Sequence, residues 1–153
     1  MLPIKPFRQK KGRCGPASLK MILAYYGVYR TEQELVHLTK CSAAKGTQAK
    51  NIVAAAHKLG LKGFVKDNAS FQDIKKYINK KMPVIVDWFS VDEGHYSVVT
   101  WLDTKKIYLQ DPELGHMRTM ELTTFKRIWF DFPGNFMASK NDLILRRILV
   151  IYA

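Results

Sequence analysis

Two stretches hold side chains that can do chemistry. Residues 8–27 read RQKKGRCGPASLKMILAYYG, and residues 93–112 read EGHYSVVTWLDTKKIYLQDP. The first places Cys14 directly before Gly15-Pro16, at the mouth of a helix, behind Arg8, Lys10, Lys11 and Arg13. A nucleophilic thiolate needs a lowered pKa, a base within reach and donors for the oxyanion. A helix N-terminus supplies the first, because its dipole and free N–H groups favour negative charge. The small neighbours Gly15 and Ala17 let a substrate backbone come close. A lone cysteine is more often structural than catalytic, but the helix mouth and the basic flank shift this one towards function.

The base must come from four histidines. His37 and His57 sit within helical patterns and read as ordinary helix residues, and His116 falls in a turn between strands. His95 enters the apolar strand Tyr96-Ser97-Val98-Val99, and a histidine buried there needs a partner for its second nitrogen. An antiparallel return through Ile107–Gln110 brings Asp111 back towards it. Asp111 can then orient the ring and stabilise the imidazolium. A surface histidine beside an Asp-Pro turn fits the same spacing equally well. Gln9, with the Cys14 backbone N–H, can donate to an oxyanion; taken alone, it is an unremarked polar residue.

Helices come first in the elements that must position these groups. The pattern predicts a helix from Cys14 to about Tyr26, with Pro16 in its first turn and Gly27 as its stop. Ala17, Met21, Leu23 and Ala24 lie roughly on one face. A capping box at Thr31–Glu34 opens a second helix to about Lys40. Thr47 caps a third over Gln48–Leu59, and Ser70 a fourth over Phe71–Lys80. After Pro83 the period becomes that of strands, at Val84–Phe89, His95–Leu102, Ile107–Gln110, Met117–Glu121 and Leu143–Tyr152. Thr123 or Thr124 caps a short helix to about Phe130. Adjacent strands after adjacent helices predict an α+β fold, helices packed on a mostly antiparallel sheet.

At 153 residues the chain reads as one domain, with a helical lobe over about 1–81 and a sheet lobe over about 82–153. Such a chain buries roughly 70% of its unfolded surface and needs no staples. Cys14 and Cys41 do not make a disulfide framework. No signal peptide or membrane-length apolar run is present. The setting expected is soluble, reducing and cytoplasmic, with free thiols. The net charge of +12 is uneven. Residues 1–81 hold 17 Lys/Arg against four acids, and residues 82–153 hold 8 against 9. The first acid is Glu32, so the sequence around Cys14 is wholly basic. That field attracts anionic partners. Nucleic acid is an improbable one, because the lysines are scattered over four helices with no recognised motif. His37 and Cys41 lie four apart, but two ligands do not make a zinc site.

Gln9, the block Cys14-Gly15-Pro16-Ala17-Ser18-Leu19 with Met21-Ile22 and Tyr25-Tyr26-Gly27, then Gly94-His95-Tyr96 and Asp111-Pro112, together resemble peptidase family C39. This is the papain-like family of bacteriocin-processing cysteine peptidases. The resemblance runs from Gln9 to the last strand. It implies a papain-like fold with Cys14 as nucleophile, His95 as general base, Asp111 as orienting group and Gln9 as oxyanion residue. It implies no cofactor and no metal. Gln9 stands five positions before Cys14, where the family more often has six, and Arg13 stands where it often has Asp. Well-known members are domains of ABC transporters that remove leader peptides after a double glycine. This chain shows neither a membrane segment nor a nucleotide-binding P-loop, so it reads as a stand-alone member or an excised domain, with a transporter as a partner in trans. The substrate implied is a peptide, acidic or leader-like. A peptide-binding module without catalysis and an acyltransferase on the same fold are the alternatives.

Overall fold

The change of period at Pro83 is a real change of architecture in the computed structural model, which describes residues 1–153. Before it come α1 (Cys14–Tyr25), α2 (Glu32–Leu38), α3 (Ala49–Lys58), β1 (Lys62–Lys66) and α4 (Phe71–Asn79). After it come β2 (Val84–Ser90), β3 (Glu93–Leu102), β4 (Lys106–Asp111), β5 (His116–Glu121), α5 (Leu122–Ile128), β6 (Phe130–Asp131), β7 (Ile144–Leu145) and β8 (Arg147–Tyr152). Six strands form one antiparallel sheet in the order β1-β8-β2-β3-β4-β5, and β6 pairs with β7 apart from it. The α+β expectation holds.

The register decides what shares a face, because side chains alternate along a strand. Trp88 lies opposite His95 and Val98 opposite Gln110, so Asp111 falls on the face of His95. Asp87 lies opposite both Tyr96 and Arg147, which puts these three on the other face. Helix α1 packs on β3, α2 and α3, while α5 packs on β2, β4 and β5.

Several local expectations are corrected. Helix α1 is not buried on one face only: Gly15 to Leu19 and Met21 to Leu23 are all buried, as suits a helix enclosed on several sides. Thr47 is no cap. Helix α3 starts from Gln48 without a side-chain cap, and the Thr47 side chain packs on Gly15 instead. The capping box at Thr31/Glu34 does form, and Ser70 caps α4 as expected, closing a box with Asp73 as well. Helix α5 enters from Glu121, not a threonine, with the Leu122 N–H donating to the Lys105 carbonyl at 2.8 Å. The closing strand breaks in two at Arg146, which turns to a φ of 48°. Its N–H donates to the Trp129 carbonyl and its Nε to the Ala69 carbonyl, so β7 leaves the main sheet for β6. His116 begins β5 rather than lying in a turn. Strand β1, KGFVK, comes from the otherwise helical half. Leu2 and Ile4 are buried as well, strapped to the sheet through Leu2 N–H to Thr100 O and Gln110 Nε2 to Ile4 O.

Candidate active site

Cys14 is the first residue of α1, half-buried, and its thiol is free. Its seat is tied to the sheet. A Cβ on Gly15 would come within 2.8 Å of the Thr47 side chain, so only glycine lets that loop close over the helix start. Tyr96 Oη, from β3, donates to the Thr47 carbonyl at 2.8 Å. The basic ground around Cys14 is less bare than the sequence implies. Arg13 Nη1 pairs with Glu32 Oε1 at 3.2 Å, and the Lys10 N–H donates to Glu32 Oε2 at 2.9 Å. Glu32, only 9% exposed, thus draws the nearest cationic side chain towards α2.

His95 is buried, and its Nε2 lies 2.6 Å from Asp111 Oδ1. That leaves Nδ1 as the ring nitrogen for the thiol. Burial pushes the imidazole pKa down, but hydrogen bonds to Asp111 and Cys14, with the negative charge of both, raise it to about 10. The indole of Trp88 meets the ring edge-on, with centroids 5.4 Å apart. The side chain of Asp111 is wholly buried. Its Oδ1 also accepts from the Glu113 N–H at 3.0 Å, and its Oδ2 from Arg118 Nε at 2.8 Å. Burial raises its pKa, yet these bonds and the charges of His95 and Arg118 hold it below the ordinary value.

Gln9 sits half-buried beside the turn after Asp111, its N–H donating to the Pro112 carbonyl at 2.8 Å. Its Oε1 is buried without a protein partner. The first stretch and the end of the second are therefore joined by a main-chain hydrogen bond. Cys41 stays outside this cluster, with its Sγ 3.5 Å from the Gly12 carbonyl. His95, Asp111 and Glu113 bring three ligand atoms within 4.8 Å of one another. They do not suit a metal. His95 and Asp111 are already bonded to each other, and the Arg118 cation occupies the second Asp111 oxygen.

A buried acid is the feature sequence reasoning missed. Asp87 is 2% exposed and its Oδ1 has no hydrogen-bond donor. It neighbours Asp131, whose carboxylate fills the space a Cβ on Gly94 would need. Burial raises the Asp87 pKa well above 3.8; the charges of Asp131 and Cys14 add to this, and Arg147 opposes it. A folded-state pKa above the unfolded one costs stability as pH rises through 3.8, because only the unfolded chain releases the proton. Asp87→Asn keeps the shape and a donor for Asp131. It should raise the melting temperature at neutral pH by roughly 2–4 °C, for a gain of about 1 kcal/mol. The gain should vanish near pH 3.8. An equal shift at both pH values in a thermal scan would mean that Asp87 is ionised in the folded protein.

The family model for the peptidase C39 family matches residues 5–132. The chain belongs to the peptidase C39 family. An uncharacterized protein of Methanothermobacter thermautotrophicus is 32% identical over 124 residues, 80% of this chain and 78% of that protein. Among solved structures, the peptidase domain of Streptococcus ComA, a bi-functional ABC transporter of a quorum-sensing pathway, superposes with a TM-score of 0.77 at 24% identity. That match covers 97% of this chain and 98% of the ComA domain. A double glycine motif protease from an AMS/PCAT transporter, solved with its leader peptide, gives 0.72 at 22% identity, covering 97% and 89%. The C39 chain thus has the papain-like peptidase fold. No helix in it is long and apolar enough to cross a membrane.

Proposed function

We propose that this C39 domain is a cysteine peptidase that removes a leader from a precursor peptide, after a double glycine. The observation that carries the reading is the contact of buried His95 with buried Asp111 at 2.6 Å, with Cys14 at the start of α1 as the other partner of the ring. The Cys14 thiolate attacks the peptide carbonyl, and the tetrahedral oxyanion forms against the Cys14 N–H and the Gln9 amide. The His95 imidazolium gives its proton to the leaving amine, breaking the C–N bond. Water then enters, losing a proton to His95 as it attacks the thioester, and the acid product leaves the free thiol. Asp111 holds the ring and its charge throughout. The reaction uses no cofactor and runs in a reducing compartment, the cytoplasm, with an ABC transporter as partner in trans. Residues 1–153 work as a single peptidase domain.

The direct test is incubation with a synthetic precursor bearing a double glycine, read by mass spectrometry. Cleavage after the second glycine supports the reading, and an intact precursor at enzyme excess overturns it. The charge asymmetry selects an acidic leader. KM should rise roughly threefold or more as salt goes from about 0.05 M to about 0.5 M, because screening removes the long-range attraction. A KM that stays flat would exclude electrostatic recruitment.

A further inference from the structure

Asp111 spends both carboxylate oxygens, and the second goes to a residue outside the Cys-His-Asp set. Arg118 Nε donates to Oδ2 at 2.8 Å, while Oδ1 faces His95. Arg118 stands in β5 opposite Leu109, two residues before Asp111 on the same face of β4, so the ladder itself fixes its approach. Its guanidinium also lies over the indole of Trp88, 5.5 Å from the ring centroid. Trp88 in turn meets His95 edge-on and is pinned by its Nε1–H donating to Ser97 Oγ at 3.1 Å. The four side chains close a ring of contacts: Arg118 to Asp111, Asp111 to His95, His95 to Trp88, Trp88 to Arg118.

We propose that Arg118 is a positioning residue that holds Asp111, and through it His95, in the orientation the Cys14 thiolate requires. The inference rests on the cysteine-peptidase reading of the site. A surface ion pair would matter little. Here, however, the carboxylate is fully buried and the arginine side chain only 29% exposed. Without Arg118, Oδ2 would be a buried charged oxygen with no donor, which is costly. A carboxylate held at one oxygen can also turn about its last bond; one held at both cannot. The competing acceptor is close, since Glu113 Oε2 lies 4.0 Å from His95 Nε2 and is exposed. Arg118 keeps the ring on Asp111 rather than on Glu113. Lysine could keep the charge, but not the planar face on Trp88 or the directed Nε bond.

The test uses Arg118→Gln and Arg118→Lys, with folding checked by circular dichroism. Arg118→Met, which keeps an apolar stem over Trp88, replaces the glutamine variant should that one not fold. Two readouts are taken: the pH profile of Cys14 alkylation by iodoacetamide, and the proton NMR resonance of the His95 Nε2–H. In the glutamine variant, labelling at mildly acidic pH should fall about tenfold or more, as loss of an outer-shell partner does elsewhere. The pH profile of its labelling should depart from the wild-type one. The Nε2–H resonance should broaden or vanish. The lysine variant should keep the onset and label more slowly. Wild-type profiles and an unchanged resonance in the glutamine variant would overturn the proposal. Should the wild-type thiol itself label like a free cysteine, the peptidase reading fails, and the resonance alone decides for Arg118: its loss in the glutamine variant supports the clamp, and its persistence sinks it.

Discussion

Replacing Cys14 with alanine is expected to abolish turnover of a double-glycine precursor while the fold stays intact. The loss should approach six orders of magnitude in kcat, roughly what removal of a nucleophile costs when a site acts as a unit. The fold survives because Cys14 sits half-buried at the first position of α1, where alanine suits the helix. The packing around it is carried mainly by Gly15 against Thr47 and by the fully buried Leu19 and Ile22, while Cys14 only borders that core. A second consequence follows from charge. The thiolate is one of the groups that raise the His95 pKa to about 10, so the His95 titration should move to lower pH in the variant. Two measurements check this, steady-state cleavage read by mass spectrometry and an NMR titration of the His95 ring. Cleavage at the wild-type rate would remove Cys14 from the chemistry. A His95 titration that does not move would separate the thiol from the imidazole.

Asp111→Asn is expected to lower kcat by about 10²–10⁴-fold with KM little changed. Asparagine fills the same buried space, so the loss is chemical. The amide can offer its oxygen to His95 or to Arg118 but not to both. Whichever it refuses then faces an N–H donor at a distance near 2.6 or 2.8 Å. The negative charge that supports the imidazolium is gone as well. Asp111 raises the His95 pKa, so its loss lowers it, and the alkaline limb of kcat/KM should move to lower pH. Stability follows the same linkage. A histidine raised from 6.5 to about 10 stabilises the fold fully below 6.5 and loses that contribution as pH climbs towards 10. The stability deficit of the variant should therefore be largest between about pH 3.8 and 6.5, narrowing above that window as His95 loses its proton and below it as Asp111 gains one. A pH–rate profile and denaturant melts across that range test both signs. An unchanged kcat and an unmoved alkaline limb would take Asp111 out of the site.

What the sequence alone determined is what short-range chemistry controls. Gly-Pro after Cys14 places the cysteine at a helix start, because proline suits the first turn and nowhere deeper. The caps at Thr31 and Ser70 formed because each closes on itself within three residues. The pairing of His95 with Asp111 was one of two readings the spacing allowed, and strand register chose it by carrying both to one face. The family followed from those same residues. Tertiary structure alone decided the rest. Glu32 neutralises part of the basic flank from another helix, 19 residues after Arg13. Thr47 abandons its capping role to fill the space over Gly15. Strand β1 is too short and too polar to announce itself, and it forms because β8 offers an open edge. Arg118 reaches Asp111 only through the register of β4 and β5, and Asp131 reaches Asp87 only because Arg146 turns β7 out of the sheet to meet β6. Local backbone preference is written residue by residue along the chain. Which distant charges end up sharing a buried carboxylate is set by packing and register, where a slip of one residue would turn each of these side chains to the opposite face.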